Sequence, residues 1–504
     1  MTQALVLAKP LEASFVLRNR SVVIFVSFVL LLPSLLFAAA LRPLPAFLVI
    51  SGCVGALGLI AQRGPCSTDG PLDAKVDVKR LALSIALAGA MLVLGGAMHV
   101  FHPPPDWRIR DAVLADLSQG FPVVYGVGST DYLLRAPLAM YMIPAAFGRV
   151  FGLYAAHVAL WAQNGLLLGA ILYLLGTLGR GWRHVLVMLL FGSVALLGTM
   201  LLLAAMGQGE PPAFDPATAS AFDAWRPYMK PWGAFHQFAW VPNHALPAWW
   251  LATLMLLSTR SQCDAGTLAV SIAGCAFWSP LAVVPAAIWA ICIVLADWRR
   301  QLASPRLWLA ALIGLCFLPI AVYMVTAAAT ISHGVAPVNG EAAGFPPLVA
   351  LVFLHAAFIL AHRALVPKRL LLLYLVNLLA LIVLPYFQFG PNHDLMTRGS
   401  IAPVVVTSFT FAWILFDANL SRRGFMLGCA LLAAGSPAII FELMLTTSRP
   451  AYALSDCSLM EAGYAAGDRE PPSNYVVDSA NVPAWLMKTE GSARKLAKER
   501  SCWP

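Results

Sequence analysis

The sequence predicts an all-α, polytopic transmembrane protein, on three observations. Its 504 residues are 60% hydrophobic and only 11% charged, with a mean hydropathy of +0.76, whereas soluble domains are about a quarter charged. Apolar runs long enough to cross roughly 30 Å of hydrocarbon recur along the whole chain. The basic residues between those runs fall mainly on alternate loops, as they do in membrane proteins of fixed orientation.

Taken in order, the runs lie at 23–41, 44–61, 81–98, 155–178, 184–206, 244–259, 266–279, 281–296, 307–326, 346–362, 370–386, 401–417 and 424–443, giving about thirteen spans by length. With the N-terminus in the cytoplasm, the inner segments collect Lys9, Arg18, Arg20, Arg63, Lys75, Lys79, Arg80, Arg180, Arg183, Arg260, Arg299, Arg300, Arg306, Arg363, Lys368, Arg369, Arg422 and Arg423. The outer loops receive Arg42, Arg108, Arg110, Arg135, Arg149, Arg226, Lys230 and Arg398. Eighteen against eight favours this orientation. It predicts a transmembrane module over 1–443, with outer loops 99–154, 207–243, 327–345 and 387–400, and an extracytoplasmic C-terminal tail over 444–504. The stretch 133–150, LLRAPLAMYMIPAAFGRV, then lies at the outer surface; as a span it would invert every later loop and turn the basic ones outward.

The net charge of +9 is spent on topology and on contact with anionic lipid headgroups, which excludes nucleic acid as a partner and makes membrane lipids one. The N-terminal apolar run, followed at once by a second, predicts an uncleaved first span rather than a signal peptide. No CxxC pair exists, so a zinc or thiol-redox motif has no support from cysteine spacing. Cys457 and Cys502 are the two cysteines assigned to the outer face, and an oxidising compartment would let them join. Neither a repeat nor a mid-span acidic residue is present, apart from Glu442 near an outer helix end. Coupled carriers normally need such residues. Polar residues gather in the outer loops instead, as in an enzyme that works at the membrane surface.

Three outer segments hold that chemistry. In 99–150, the run FHPPPDWRIRDAVLAD opens with Pro103, Pro104 and Pro105, which stop the preceding helix and present Asp106 at its mouth. RDAVLADL then reads as a short surface helix, with Ala112, Val113, Leu114 and Leu117 on one side and Arg110, Asp111 and Asp116 on the wetter side. The structural alternative has Asp106 cap that helix and Asp111 pair with Arg108 or Arg110. Segment 207–250 crowds Trp225, Trp232, Trp240, Trp249, Trp250, Tyr228, Phe235 and Phe238 against Arg226, Lys230, His236 and His244. An interfacial aromatic belt accounts for most of these rings; eight in one loop and helix start exceed what anchoring needs, and such rings suit stacking on sugar rings beside cations fit for a phosphate. Segment 386–401, YFQFGPNHDLMTRGSI, places Asn392, His393, Asp394 and Arg398 at a helix start, where free N–H groups favour an anion. Asp394 and Arg398 are also spaced to pair with each other.

This order of features resembles the GT-C class of membrane glycosyltransferases, in which an outer loop opens with an aspartate and a surface helix and many spans with short loops follow. DWRIRDAVLADL, LLRAPLAMYMIPAAFGRVFG, VPNHALPAWW and NHDLMTRGSI are similar to four landmarks found in the same order in a group of bacterial membrane proteins. The resemblance covers residues 80–420, and only the short motifs are specific. It implies a bacterial inner (plasma) membrane location, a polyprenyl-phosphate-linked sugar as donor, a glycan or lipid acceptor, and transfer on the extracytoplasmic face. It makes Asp106 the catalytic base or acceptor-orienting group, with Asp111 as second candidate. Donor phosphate binding falls to Arg398, Arg110, His236 and Arg226, and substrate binding to Asn392, Asp394, His244, Trp107 and Trp240. No cofactor is fixed by these residues; a divalent metal is possible. Two departures from the better-known members are that the aspartate follows the third span and that no DE or DD pair stands there. A transporter or flippase of lipid-linked saccharides, or a polymerase of them, would use the same outer loops differently.

Overall fold

The computed structural model describes residues 17–62, 70–192, 233–335, 354–390, 394–465, 471–488 and 502–503. It is mostly helical. In chain order the described helices begin with α1 (Asn19–Ala38), α2 (Pro43–Ala61), α3 (Val78–Leu94), α4 (Asp106–Gln119), α5 (Ala139–Phe151), α6 (Leu153–Leu178) and α7 (Trp182–Leu190). After a gap come α8 (Ala234–Trp240), α9 (Pro242–Thr259), α10 (Ala265–Cys275), α11 (Val284–Ala296), α12 (Trp298–Leu302), α13 (Pro305–Leu315) and α14 (Leu318–Val325). A helical stretch at 354–361 precedes α15 (Lys368–Val383), α16 (Asp394–Gly399), α17 (Ile401–Leu415), α18 (Arg422–Gly435), α19 (Pro437–Ser448) and α20 (Leu459–Ala465). Several starts are chemically marked. The Asp77 carboxylate accepts from Arg80 N at 3.0 Å to cap α3, and Asp264 accepts from Thr267 N at 2.7 Å to cap α10.

Among the described residues, six helices are long and apolar enough to cross a membrane: α1, α2, α6, Lys368–Tyr386, Asp394–Leu415 and Arg422–Ser448. A seventh results if α13 and α14, bent by 46°, count as one span. This is fewer than the apolar runs. α10 and α11 have 11 and 13 residues, shorter than the runs 266–279 and 281–296, with Pro280 in the connection between them and Pro285 in the first turn of α11. The runs 184–206 and 346–362 lie partly outside the described residues. α5, at 13 residues, is too short for the roughly 20 that a span requires, in keeping with the expectation that 133–150 does not cross.

α3 and α6 pack closely along their length. A Cβ on Gly169 would sit 2.4 Å from Ile85 Cα, and Trp161 Nε1 donates to Gly89 O at 3.0 Å, the small-residue contact typical of apolar helix pairs. Strand β1 (Val124–Val127) forms a hairpin with β2 (Thr130–Leu134), turning at Gly128 with φ 63°. β2 pairs on its other edge with β5 (Val476–Asp478), Leu133 opposite Val477. A smaller sheet joins β3 (His333–Val335) to β4 (Phe387–Phe389).

Contacts between loops fall into two groups. In one, Asn19 N donates to Ala74 O, Arg180 meets Asp417 at 3.1 Å, Arg260 donates to Leu178 O, Arg369 to Ser261 Oγ, and Arg306 to both Asp264 and Leu59 O. In the other, Arg42 Nε donates to Ala484 O at 2.7 Å, Tyr323 OH to Leu134 O at 2.8 Å, and β2 holds β5. The first group carries basic residues that the charge count places inside, and the second joins segments it places outside. Cysteines introduced at Ser129 and Ser473 should therefore both react with an impermeant thiol reagent added outside intact cells, and one at Asn419 should not. Labelling of either of the first two only after permeabilisation would overturn the orientation.

The tail is no loose appendage. Besides β5 and α20 it contributes a Cys457–Cys502 disulfide, with Cα atoms 5.8 Å apart, which brings Trp503 over the Arg108 guanidinium at 5.4 Å. It also covers the α4 face expected to be wet: Arg110, Asp111 and Asp116 are all buried. The reason is local compensation of charge. Asp116 accepts from Tyr125 OH at 2.5 Å and from Leu459 N at 2.8 Å, so loop and tail supply donors that water would otherwise provide. Asp116→Ala strips both buried donors of this acceptor and should cost about 1–3 kcal/mol, read as a lower denaturant midpoint with the tail exposed to protease. Wild-type stability would show that this junction holds nothing.

Candidate functional site

The site is built on the N-terminal end of α4. The proline run ends the preceding chain segment, and Trp107 N and Arg108 N bond back to Pro104 O and Pro105 O. Asp106 thus starts the helix without making a side-chain cap bond. Its carboxylate is 48% exposed and meets the Arg110 guanidinium at 3.4 Å, one helical turn on. Arg110 is buried against the Trp107 ring, 5.8 Å from its centroid. Its guanidinium pKa is raised; burial opposes the charge, but the neighbouring Asp106 carboxylate, Tyr141, Tyr475 and Asp111 together outweigh it. Its Nη1 has no hydrogen-bond partner among the described residues. Trp107 itself is spoken for, donating Nε1 to Ala239 O at 2.8 Å, which fixes α8 against α4.

A second half of the site comes from α9 and α16. Arg398 pairs with Asp394, the spacing foreseen from sequence, and its Nε donates to His244 Nε2 at 2.8 Å. With Nε2 accepting, the proton of a neutral His244 ring belongs on Nδ1, which faces Ser279 Oγ at 2.7 Å. His244 is buried and holds Arg398 in place. Asn392 and Arg226 lie outside the described residues.

Tyr475, from the tail, joins the halves. This half-buried phenol has its pKa raised, first by desolvation, and it feels the charges of Arg110, Asp106, Arg398 and Asp394 together. His244 likewise feels both Arg398 and Arg110. One electrostatic neighbourhood therefore contains a half-exposed carboxylate, two guanidinium groups and a second carboxylate drawn from distant parts of the chain. Of the site residues expected from sequence, Asp106, Arg110, Asp394 and Arg398 belong to it, with His244 behind.

Other expected residues have partners of their own. His236 Nε2 lies 3.3 Å from Glu442, and Trp240 Nε1 donates to the same carboxylate at 2.6 Å, so both face α19. Asp111 is 1% exposed and pairs with neither arginine; it sits 3.0 Å from His99 Nε2 and 4.0 Å from His157 Nδ1. Sequence reasoning missed Tyr475, Tyr141, His99 and His157. The two histidines flank the first outer loop at its start and end, a signal that was present. The tyrosines carried none, since nothing in the order of residues shows that the tail closes over α4. No family model, curated protein or solved structure matches the chain, so the chemistry of the site is argued from its own residues.

Proposed function

We propose that the protein is a membrane glycosyltransferase of GT-C-like design. It moves a sugar from a polyprenyl-phosphate-linked donor to a glycan or lipid acceptor on the extracytoplasmic face of a bacterial inner membrane, in envelope or surface glycan assembly. The observation that carries this reading is the solvent-accessible Asp106 carboxylate held beside Arg110 and in one electrostatic neighbourhood with Arg398. A carboxylate base that receives a proton next to cations that receive a phosphate is the pair that inverting transfer requires.

In that reaction Asp106 takes the proton of the acceptor hydroxyl as its oxygen bonds to the anomeric carbon. The bond from that carbon to the carrier phosphate breaks, and its electron pair leaves on the phosphate oxygen beside Arg398. The ion pair with Arg110, one helical turn on, aims the Asp106 carboxylate. A lipid carrier explains the membrane setting, since the leaving group stays in the bilayer.

The test supplies the purified chain, in vesicles, with a panel of polyprenyl-phosphate sugars and acceptors and follows label into product. Transfer dependent on the protein supports the reading. Movement of intact lipid-linked saccharide across the bilayer with no bond made to sugar would overturn it in favour of a flippase.

A further inference from the structure

We propose that His99, Asp111 and His157 bind a single transition-metal ion of the zinc class, which fastens the end of the α3 segment to α4 and α6. One ligand atom from each residue lies within 4.8 Å of the others, and the three side chains are 4%, 1% and 1% exposed. Tetrahedral ligands at about 2.0–2.2 Å from zinc stand about 3.3 Å apart. The 3.0 Å between His99 Nε2 and Asp111 Oδ2 is close to that spacing, and His157 Nδ1 stands 4.0 Å from Asp111 Oδ1.

Three further observations point to a cation. His99 Nδ1 lies 2.9 Å from Tyr452 O, which accepts only a proton, so this nitrogen is the donor. In the neutral ring Nε2 then presents a lone pair to a carboxylate, an arrangement that an ion between them would satisfy. A backbone carbonyl fixing the outer nitrogen of a histidine is also the usual support of a metal ligand. Second, Asp111 Oδ1 and Oδ2, His99 Nε2 and His157 Nε2 are buried, and none has a directed hydrogen-bond partner among the described residues. Third, Met98 and His99 both take left-handed backbone, φ 64° and 54°, at about 1–3 kcal/mol each for residues with a side chain. That conformation turns the ring inward and persists only where the surroundings hold it.

Two imidazoles and one carboxylate suit zinc; calcium and magnesium prefer all-oxygen shells, and no thiolate is there to select copper(I). Burial closes the ion off from a substrate, so it positions α4, and with it Asp106 and Arg110, rather than reacting. This proposal is independent of the transfer reading, because metal content is measured without any assay of sugar.

The full-length protein, purified without added metal, should carry about one zinc per chain by elemental analysis. His99→Ala and His157→Ala should each lose most of it, at least about tenfold. Since either variant could fail to fold, the wild type is also stripped with a chelator. Its melting temperature should then fall, and added zinc should restore it where magnesium does not. Cobalt(II) added to the stripped protein should give visible d–d absorption that His157→Gln weakens. Absence of any transition metal, with no response of the stripped protein to zinc, would reduce the cluster to a buried imidazolium–carboxylate pair and overturn the proposal. Equal zinc in a folded His99→Ala, His157→Ala double variant would do the same by placing the ion elsewhere.

Discussion

Asp106→Asn is expected to lower sugar transfer by about 10²–10⁴, the range lost with a general base, while lipid-donor binding and folding stay near wild type. The substitution keeps the size of the side chain and one acceptor oxygen but removes the charge. Because Asp106 is half exposed and makes no helix-cap bond, little of the fold depends on it. Its partner among the described residues is Arg110 at 3.4 Å, a buried guanidinium against a half-exposed carboxylate, and the amide oxygen of asparagine can still accept from it, so the loss of stability should be small beside the loss of rate. A large loss of rate with an unchanged melting temperature therefore isolates chemistry from structure. Asp111→Asn is the comparison. Buried with two histidines, it should lose stability along with rate, so its rate per folded molecule falls less than that of Asp106→Asn. Full activity in both variants, with donor lipid in excess, would remove the central residue from the glycosyltransferase reading and favour transport.

How much of this was legible in the sequence differs between helices, loops and tail. Runs at 23–41, 44–61 and 155–178 mark α1, α2 and α6 to within a few residues, because lipid-length hydrophobicity has one common solution. Of the later runs, 244–259, 370–386 and 401–417 mark α9, α15 and α17, whereas 307–326 and 424–443 each divide into two helices, α13 with α14 and α18 with α19. At the site, three prolines before Asp106 announced its placement, and the Asp394–Arg398 spacing announced their pairing. The polar side of α4 was misjudged: periodicity separates polar from apolar residues, but not a wetted face from one covered by protein. What covers it is a tail more than 300 residues away, whose β5 joins β2 and whose α20 donates to Asp116. Such pairing depends on tertiary closure, which local patterns do not encode.

The same closure decides what Arg398 should do. Arg398→Ala is expected to weaken binding of the lipid-phosphate donor by about 10–100-fold, since a charged hydrogen bond to phosphate contributes about 1.5–3 kcal/mol and each 1.4 kcal/mol is a factor of ten. Arg398 is the guanidinium held ready for that contact, Asp394 on one side and His244 on the other, with His244 seated in turn on Ser279. Lysine at this position keeps the charge but not the planar fork, so Arg398→Lys should recover only part of the affinity. His244→Ala leaves the charge and removes its support, and should raise donor KM by less than Arg398→Ala with little change in kcat. Truncating the arginine also strips its partners, so each variant is compared at equal folded fraction, measured by thermal melting. If donor KM and kcat in Arg398→Ala both match wild type, the phosphate does not sit here. If instead kcat falls while donor KM holds, Arg398 acts on the departing phosphate only in the transition state. That outcome keeps the residue in the reaction but removes it from ground-state recognition.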